Sequence, residues 1–452
     1  MEKTSIIRML KDLASKLTGK KARKKSTTKP IIVPRAEHSV SRNDISPNAL
    51  KVLYRLNKAG FSAYLVGGCV RDILMGKKPK DFDVATNAHP EQIRKVFSNC
   101  RLIGRRFRLA HIFFGREIIE VATFRTHHEN GKDQQGKMQK GMIIRDNVYG
   151  TIEDDAWRRD FRINALYYNI ADFSIVDYTG GMRDIKNQVI HMIGDPEQRY
   201  HEDPVRLLRA VRFLAKLPVS LSPKTEAPIV KLSYLLGHVS SARLYQEVLK
   251  FFQEGSSFET FELLQKHHLL KELFPLTNDC LANKDFAELV NIALKDTDRR
   301  IKENKGISKS FMFAILMWQP YQNELKKFEN SDMPPFIRND KAIQNVLKSQ
   351  TQILTIPRMQ QVTIREIYLL QHRLLKRTGK SAIRLLAHPR FRAGYDLLVL
   401  RSKIDPSLEE LAKWWTDFQE VNPEAQAKMT DGLNKGRPKR KGRRYRKPNK
   451  DS

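Results

Sequence analysis

Residues 79–86 read PKDFDVAT, and two aspartates, Asp81 and Asp83, flank Phe82 in a chain whose formal net charge is +32. In an extended strand residues i and i+2 share a face, so the two carboxylates project together while Phe82 and Val84 point to the other side. Carboxylates that close repel, and without a counter-charge one of them keeps its proton. A divalent cation resolves the conflict. Magnesium takes hard oxygen ligands, usually one or two carboxylates with substrate phosphates and water. Two such ions can clamp the attacking and leaving oxygens of an in-line phosphoryl displacement. The plainer alternative is a pair of surface acids held by Lys77, Lys78 and Lys80.

The neighbouring residues favour the cation. Upstream runs LVGGCVRDILMGKKPKDFDVAT (65–86). Gly67 and Gly68 let backbone N–H groups approach a triphosphate closely. Arg71 falls at the start of the following helix, whose positive end can face the same anion. Asp72 can pair with Arg71 or cap that helix. The alternative is a structural glycine turn before an ordinary helix.

The elements that must carry these residues follow from the pattern. SPNALKVLYRLNKAG (46–60) predicts a helix with Ser46 as N-cap, Pro47 in the first turn and Gly60 past its end. AYLVGG (63–68) and DFDVAT (81–86) predict strands. RLAHIFFG (108–115) and REIIEVATF (116–124) predict a hairpin turning near Gly115, and INALYYNI (163–170) with FSIVDY (173–178) another. Beyond about residue 200 the chain reads as helices, such as VRLLRAVRFLAKL (205–217). In HEDPVRLLR, Asp203 is a natural N-cap and Pro204 takes the first helical position. Arg206 and Arg209 follow at intervals of three, on a face shared with Asp203. As surface ion pairs these contribute about 1 kcal/mol or less.

The chain of 452 residues is long enough for several domains, and its 40% hydrophobic and 29% charged residues are those of a globular protein. No stretch approaches the ~20 apolar residues of a membrane span. The N-terminus lacks a secretory signal's apolar core and cleavage site. Cys69, Cys100 and Cys280 are far apart, which argues against a zinc site or disulfide framework and makes a reducing cytoplasm the expected compartment. Lys and Arg total 82 against 50 Asp and Glu. Residues 1–40 carry 11 basic and 3 acidic side chains, and residues 430–452 carry 10 and 2. So basic a chain attracts a polyanion, RNA or DNA first and anionic lipid second. GKKARKKSTTKP (19–30) has no apolar periodicity and reads as disordered. SIIRMLKDLASKL (5–17) has the spacing of a short amphipathic helix, suited to weak contact with a membrane surface, to a partner, or to docking on its own protein.

Further motifs complete a resemblance. GG-x-VRD-x-L-x-G…DFD-x-x-T is followed by RRDFRINAL (158–166), DYTGGMRDI (177–185) and HEDPVRLLRAVRFLA (201–215). In this order the sequence resembles the tRNA nucleotidyltransferase and bacterial poly(A) polymerase family, with its polymerase-β-like palm. LIGRRFRLAHIFF (102–114), including Arg105 and Arg106, SAIRLLAHPRFRAGYDLLVLR (381–401) and the tail GRPKRKGRRYRKPNK (436–450) resemble the poly(A) polymerase branch. The similarity spans roughly residues 30–450. One departure is Cys69, where the pattern expects a third glycine.

The resemblance implies an α+β fold: a small mixed-sheet nucleotidyltransferase head, then an elongated all-helical neck and body, with disordered basic tails. The implied segments are a flexible basic arm (1–45), the head (46–175), a neck that recognises the base (176–265), an RNA-binding body (266–430) and a basic tail (431–452). Asp81 and Asp83 are implied to bind two Mg²⁺ (or Mn²⁺) ions. Glu120 and Asp160 are both candidates for a third carboxylate, with Glu120 favoured on the metal side and Asp160 with Arg159 at the nucleotide's sugar. Gly67, Gly68 and Arg71 are implied at the phosphates, and Asp203, Arg206 and Arg209 at the base. The implied activity is template-independent addition of adenylate from ATP to RNA 3′ ends, by a monomer in the cytoplasm, with RNA-decay machinery or an RNA chaperone as partners. The alternatives are a CCA-adding enzyme and an inactive RNA-binding protein.

Overall fold

The computed structural model describes residues 29–104, 108–126, 138–139, 142–143 and 148–432. The segments 5–17 and 19–28, Arg105, Arg106 and the basic tail therefore lie outside the described residues. The chain divides into two compact units, Met1–Asn187 and Gln188–Ser452.

The first unit is built on an eight-stranded mixed sheet in the order β1-β10-β9-β2-β3-β6-β5-β4. Its elements are β1 (Ile31–Val33), α1 (Pro47–Lys58), β2 (Ala63–Val66), α2 (Gly68–Leu74), β3 (Asp83–Thr86), α3 (Pro90–Val96), β4 (Cys100–Ile103), β5 (Leu109–Phe114) and β6 (Glu117–Thr123). A separate two-stranded ribbon follows, β7 (Met138–Gln139) with β8 (Met142–Ile143), then α4 (Ile152–Arg158), β9 (Leu166–Asn169), β10 (Ile175–Asp177) and α5 (Gly181–Lys186). Within the main sheet every pairing is antiparallel except β3 with β6. That parallel pair needs a crossover, which α3, β4 and β5 provide.

The helix expected over 46–60 forms as α1. Ser46 Oγ accepts from the Asn48 N–H at 3.2 Å, and Gly60 takes φ +86° past its end. The hairpin over 108–124 forms as β5–β6 about Gly115, at φ +63°. Three strands are shorter than their sequence patterns. β2 stops at Val66 because Gly67 turns the chain and Gly68 already begins α2. β3 starts at Asp83, with Asp81 and Phe82 extended just ahead of it. Residues 162–164 make a 3₁₀ turn before β9.

Period-two alternation sorts the strand residues between two cores. Leu65, Val84, Ile112, Val121, Leu166 and Tyr168 face α1, α2 and α3, which contribute Val52, Leu56, Val70, Ile73 and Ile93. Val66, Ala85, Tyr167 and Val176 belong to the other cluster, with Phe124 and with Ala156 of α4. The alternation at residues 81–84 holds as expected: Asp81 and Asp83 are exposed, Phe82 and Val84 buried.

The second glycine pair, Gly180–Gly181, is a packing device. Buried Asp177 accepts four backbone N–H bonds, from Thr179 (3.0 Å), Gly180 (2.8 Å), Gly181 (3.1 Å) and Met182 (2.9 Å). A Cβ on Gly181 would stand 2.3 Å from the Arg162 carbonyl oxygen, so no other residue fits there without moving the backbone.

Among its described residues the second unit is helical apart from the parallel two-residue pair β11 (Val189–Ile190) and β12 (Ser220–Leu221) and its connecting turns. It includes α6 (Pro196–Glu202), α7 (Val205–Lys216) and longer helices at Lys284–Lys302, Pro335–Ile353 and Arg358–Leu374. No described helix is long and apolar enough to cross a membrane. Asp177→Ala strips four backbone donors, buried or part-buried, of their acceptor. It should lower the head's stability by at least about 3 kcal/mol, read as a shifted denaturant midpoint.

Candidate active site

The site lies along one row of the sheet. Register pairs Tyr167 with Val66, Val66 with Asp83, Asp83 with Glu120, and Glu120 with His111. Residues directly opposite one another share a face, so the row carries two acids side by side at its centre. Asp81 enters from the extended residues just before β3.

This crowding shows in the charge. The Asp83 carboxyl is pushed up to about 6 by desolvation, then by Glu120, with Asp81 adding to it and Arg159 opposing. Its side chain nevertheless touches solvent. Both facts hold for a group on the floor of a cleft, open on one side and surrounded by protein on the others. Glu120 is half-exposed, and its Oε1 lies 3.4 Å from His111 Nε2. His111 stands beside Glu120 from across the hairpin.

The glycine turn closes over the acids. Gly67 has φ +81° and ψ −132°, a region closed to residues with a Cβ. A Cβ there would lie 3.4 Å from Arg159 Nη1 and 4.0 Å from Asp83 Oδ2, so the backbone runs between the cation and the acid. Cys69 fits the turn without strain. It is buried, and its Sγ lies 3.3 Å from the Val66 carbonyl, as donor to it.

Behind the turn lies a buried polar framework. Arg71 is only 3% exposed. Its Nε and Nη2 donate to Asp72 Oδ1 (2.9 and 2.6 Å), and its Nη1 donates to Asn164 Oδ1 (2.6 Å). Asn164 Nδ2 donates onward to Asp160 Oδ1 (3.2 Å), which also accepts from the Phe161 N–H (2.8 Å). Asp160 is itself buried. Arg159 is held separately. Its Nη2 donates to Asp155 Oδ2 at 3.1 Å, and its Nε to the Tyr167 hydroxyl at 3.0 Å. The sequence reading passed over Asn164, Asp155, Tyr167 and His111. Asn164 stood inside the quoted RRDFRINAL, and Asp155 sits four residues before Arg159, the helical pairing interval.

In the helical unit, Asp203 closes α6 and Pro204 is the N-cap of α7, one residue later than expected. Asp203 Oδ1 accepts from the Val205 N–H (3.3 Å) and Oδ2 from Arg243 Nη2 (2.7 Å). Arg206 Nη1 donates to the Arg199 carbonyl (2.6 Å) and to Glu202 Oε2 (3.2 Å). Arg209 lies over the Phe213 ring, 5.7 Å from its centroid.

The donor set suits a hard divalent cation. Asp83, Glu120 and Asp81 offer carboxylate oxygens whose mutual repulsion a cation relieves. Among the described residues no group of three or more His, Cys, Asp and Glu is arranged so as to hold a metal ion by itself.

A glycine turn set against paired acids on a mixed sheet, with a helical unit following, defines a nucleotidyltransferase head. Comparison with known proteins agrees. The family model described as "Poly A polymerase head domain" matches residues 63–191, "Probable RNA and SrmB- binding site of polymerase A" matches 219–281, and "Polymerase A arginine-rich C-terminus" matches 331–450. Poly(A) polymerase I of Escherichia coli O6:H1 is 50% identical over 426 residues, 92% of each chain. A CCA-adding enzyme of Lactobacillus helveticus is 35% identical over 230 residues, 51% of this chain and 56% of that one. A solved tRNA-processing enzyme in its apo form shares the fold, with TM-score 0.56 and 23% identity over 88% of this chain and 99% of that one. The chain belongs to the poly(A) polymerase family.

A raised carboxyl pKa means the folded head binds that proton more tightly than the unfolded chain. Its contribution to stability therefore falls as pH climbs from about 4 through 6, and the penalty is complete above that. In metal-free buffer Asp83→Asn should raise Tm at pH 7.5 and leave it nearly unchanged at pH 4. A Tm gain of equal size at both pH values would contradict this assignment.

Proposed function

We infer that the protein is a template-independent polynucleotide adenylyltransferase that extends RNA 3′ ends with adenylate from ATP and releases pyrophosphate. The observation that carries this reading is the extent of the similarity. It runs through both units against poly(A) polymerase I and through only half the chain against a CCA-adding enzyme.

The head supports the chemistry. The RNA 3′ hydroxyl attacks the α-phosphorus of ATP in line with the leaving pyrophosphate, so the protein's task is positioning and charge. Asp81 and Asp83, with Glu120 beside them, would hold a divalent cation, magnesium or manganese, which would neutralise the triphosphate and lower the pKa of the attacking hydroxyl; this donor set is compatible with two ions. The backbone at Gly67–Gly68 approaches the phosphates because it carries no side chains. Arg71 supports that turn from behind, through Asp72 and Asn164. Asn164 in turn orients Asp160, and Asp160 with Arg159 faces the sugar. We assign base choice to Asp203 and Arg206, whose polar edges are oriented by Arg243, Glu202 and the Arg199 carbonyl. Arg209 lies on the same helix. The basic body and tail hold RNA through its phosphates, so affinity falls with salt. The activity belongs in the cytoplasm, with its substrates.

The test is incubation of the full chain with Mg²⁺, a labelled RNA of arbitrary 3′ sequence, and ATP or CTP alone. Long ladders with ATP and little product with CTP are expected. Additions limited to a few nucleotides on tRNA-like ends and requiring CTP would assign the CCA-adding activity instead. RNA binding without any addition would point to an inactive head. Asp81→Ala or Asp83→Ala should reduce adenylation at least about a hundredfold.

A further inference from the structure

We propose that Asp155, together with Tyr167, is a positioning pair that fixes the Arg159 guanidinium against the glycine turn and beside Asp83, where it meets the bound nucleotide. The inference rests on the reading above that this head holds a nucleoside triphosphate.

Three observations carry it. First, Asp155 and Tyr167 grip one side of the guanidinium. Asp155 Oδ2 accepts from Arg159 Nη2 (3.1 Å), from Nε (3.3 Å) and from the Tyr167 hydroxyl (2.7 Å), while Nε also donates to that hydroxyl. The guanidinium carbon lies 5.4 Å from the centre of the Tyr167 ring. Second, the remaining nitrogen, Nη1, points the other way. It lies 3.4 Å from the Asn164 carbonyl and 3.4 Å from the position a Gly67 Cβ would take. Third, the grip is built into the sheet. Tyr167 occupies the same cross-strand row as Asp83, with Val66 between them, so the two are about 10 Å apart. Arg159 lies between the two, its guanidinium carbon by the Tyr167 ring and its charge acting on the Asp83 carboxyl.

The physical need is competition between acids. Asp83, Asp81 and Glu120 form a negative cluster beside a flexible cation. Arg159 and Asp83 attract each other, with the Gly67 backbone between them. A guanidinium folded onto Asp83 would fill the space that a metal and a triphosphate need. Asp155 holds the charge of Arg159 near the site without letting it neutralise the acids outright. Tyr167 adds a hydroxyl and a flat ring that fix the plane of the fork.

The experiment varies ATP at saturating RNA, then RNA at saturating ATP, for wild type, Arg159→Ala, Asp155→Ala, Tyr167→Phe and the Asp155→Ala/Arg159→Ala double variant. Calorimetry adds the Kd of a non-hydrolysable ATP analogue. Asp155→Ala should raise the ATP KM and the analogue's Kd about tenfold or more, with the RNA KM changed less than about twofold. Tyr167→Phe should show a smaller rise of the same kind with little change in Tm. The double variant should be no worse than Arg159→Ala alone, since a positioning residue has nothing left to position. An unchanged ATP KM and analogue Kd in both single variants would overturn the proposal, as would an Asp155→Ala effect that persists at full size in the Arg159→Ala background. Where Asp155→Ala fails to fold, Asp155→Asn and Tyr167→Phe decide it by the same split. A wild type that binds the analogue but adds no adenylate would sink the polyadenylation reading, while the Kd series still measures the clamp.

Discussion

The parallel register of β3 with β6 sets Asp83 directly opposite Glu120. Two acids placed so close in a cleft repel, and the repulsion is a free-energy cost of the folded head without ligand. The polar groups gathered around Gly67 can be understood as containing it. The sheet row on which the acids stand is fixed on both sides by apolar residues, so neither strand can slip to relieve the strain without turning its buried face outward. Arg159 stands near enough to lower the potential, yet is tethered elsewhere. The result is a cleft that keeps its negative charge and is completed by a cation and a phosphate chain.

Three arginines of the site motifs have distinct situations. Arg71 is buried and donates to a carboxylate and an amide behind the glycine turn. Arg159 has one end tethered and the other directed at the glycine turn. Arg206 is fixed by a backbone carbonyl and a neighbouring carboxylate. Sequence distance alone does not separate these situations. They arise from what lies opposite each guanidinium in space, and a buried Arg without such partners would be very costly.

Much of the head was legible in the sequence, because it depends on local chemistry. Alternation gave the faces of residues 81–84, Ser46 and Gly60 bounded the first helix, and Gly115 marked the hairpin. Gly67 was singled out for close backbone approach, and it takes a positive φ that glycine adopts without penalty. Less legible were the partners separated by long stretches of chain. His111 stands against Glu120 through hairpin register, and Asn164 reaches Arg71 over 93 residues of sequence. At the neck, the i+3 spacing of Asp203 and Arg206 suggested a shared face, but Arg243, 40 residues on, takes the aspartate. Strand ends were overextended where a turn follows or precedes apolar residues: Gly67 ends β2 at Val66, and the 3₁₀ turn of residues 162–164 holds Ile163 ahead of β9.

The strand order also governs when the site can exist. β1, near the N-terminus, pairs with β10, so Ile31 must wait for Asp177. β2 likewise waits for β9, about a hundred residues later. Such distant pairings make a domain slow to close. On a ribosome the carboxylate pair of β3 and β6 can be assembled well before Arg159, Asn164 and Tyr167 emerge. The acids of β3 and β6 thus precede in the chain the residues that hold Arg159, and the cross-strand row is complete only when β9 has paired with β2.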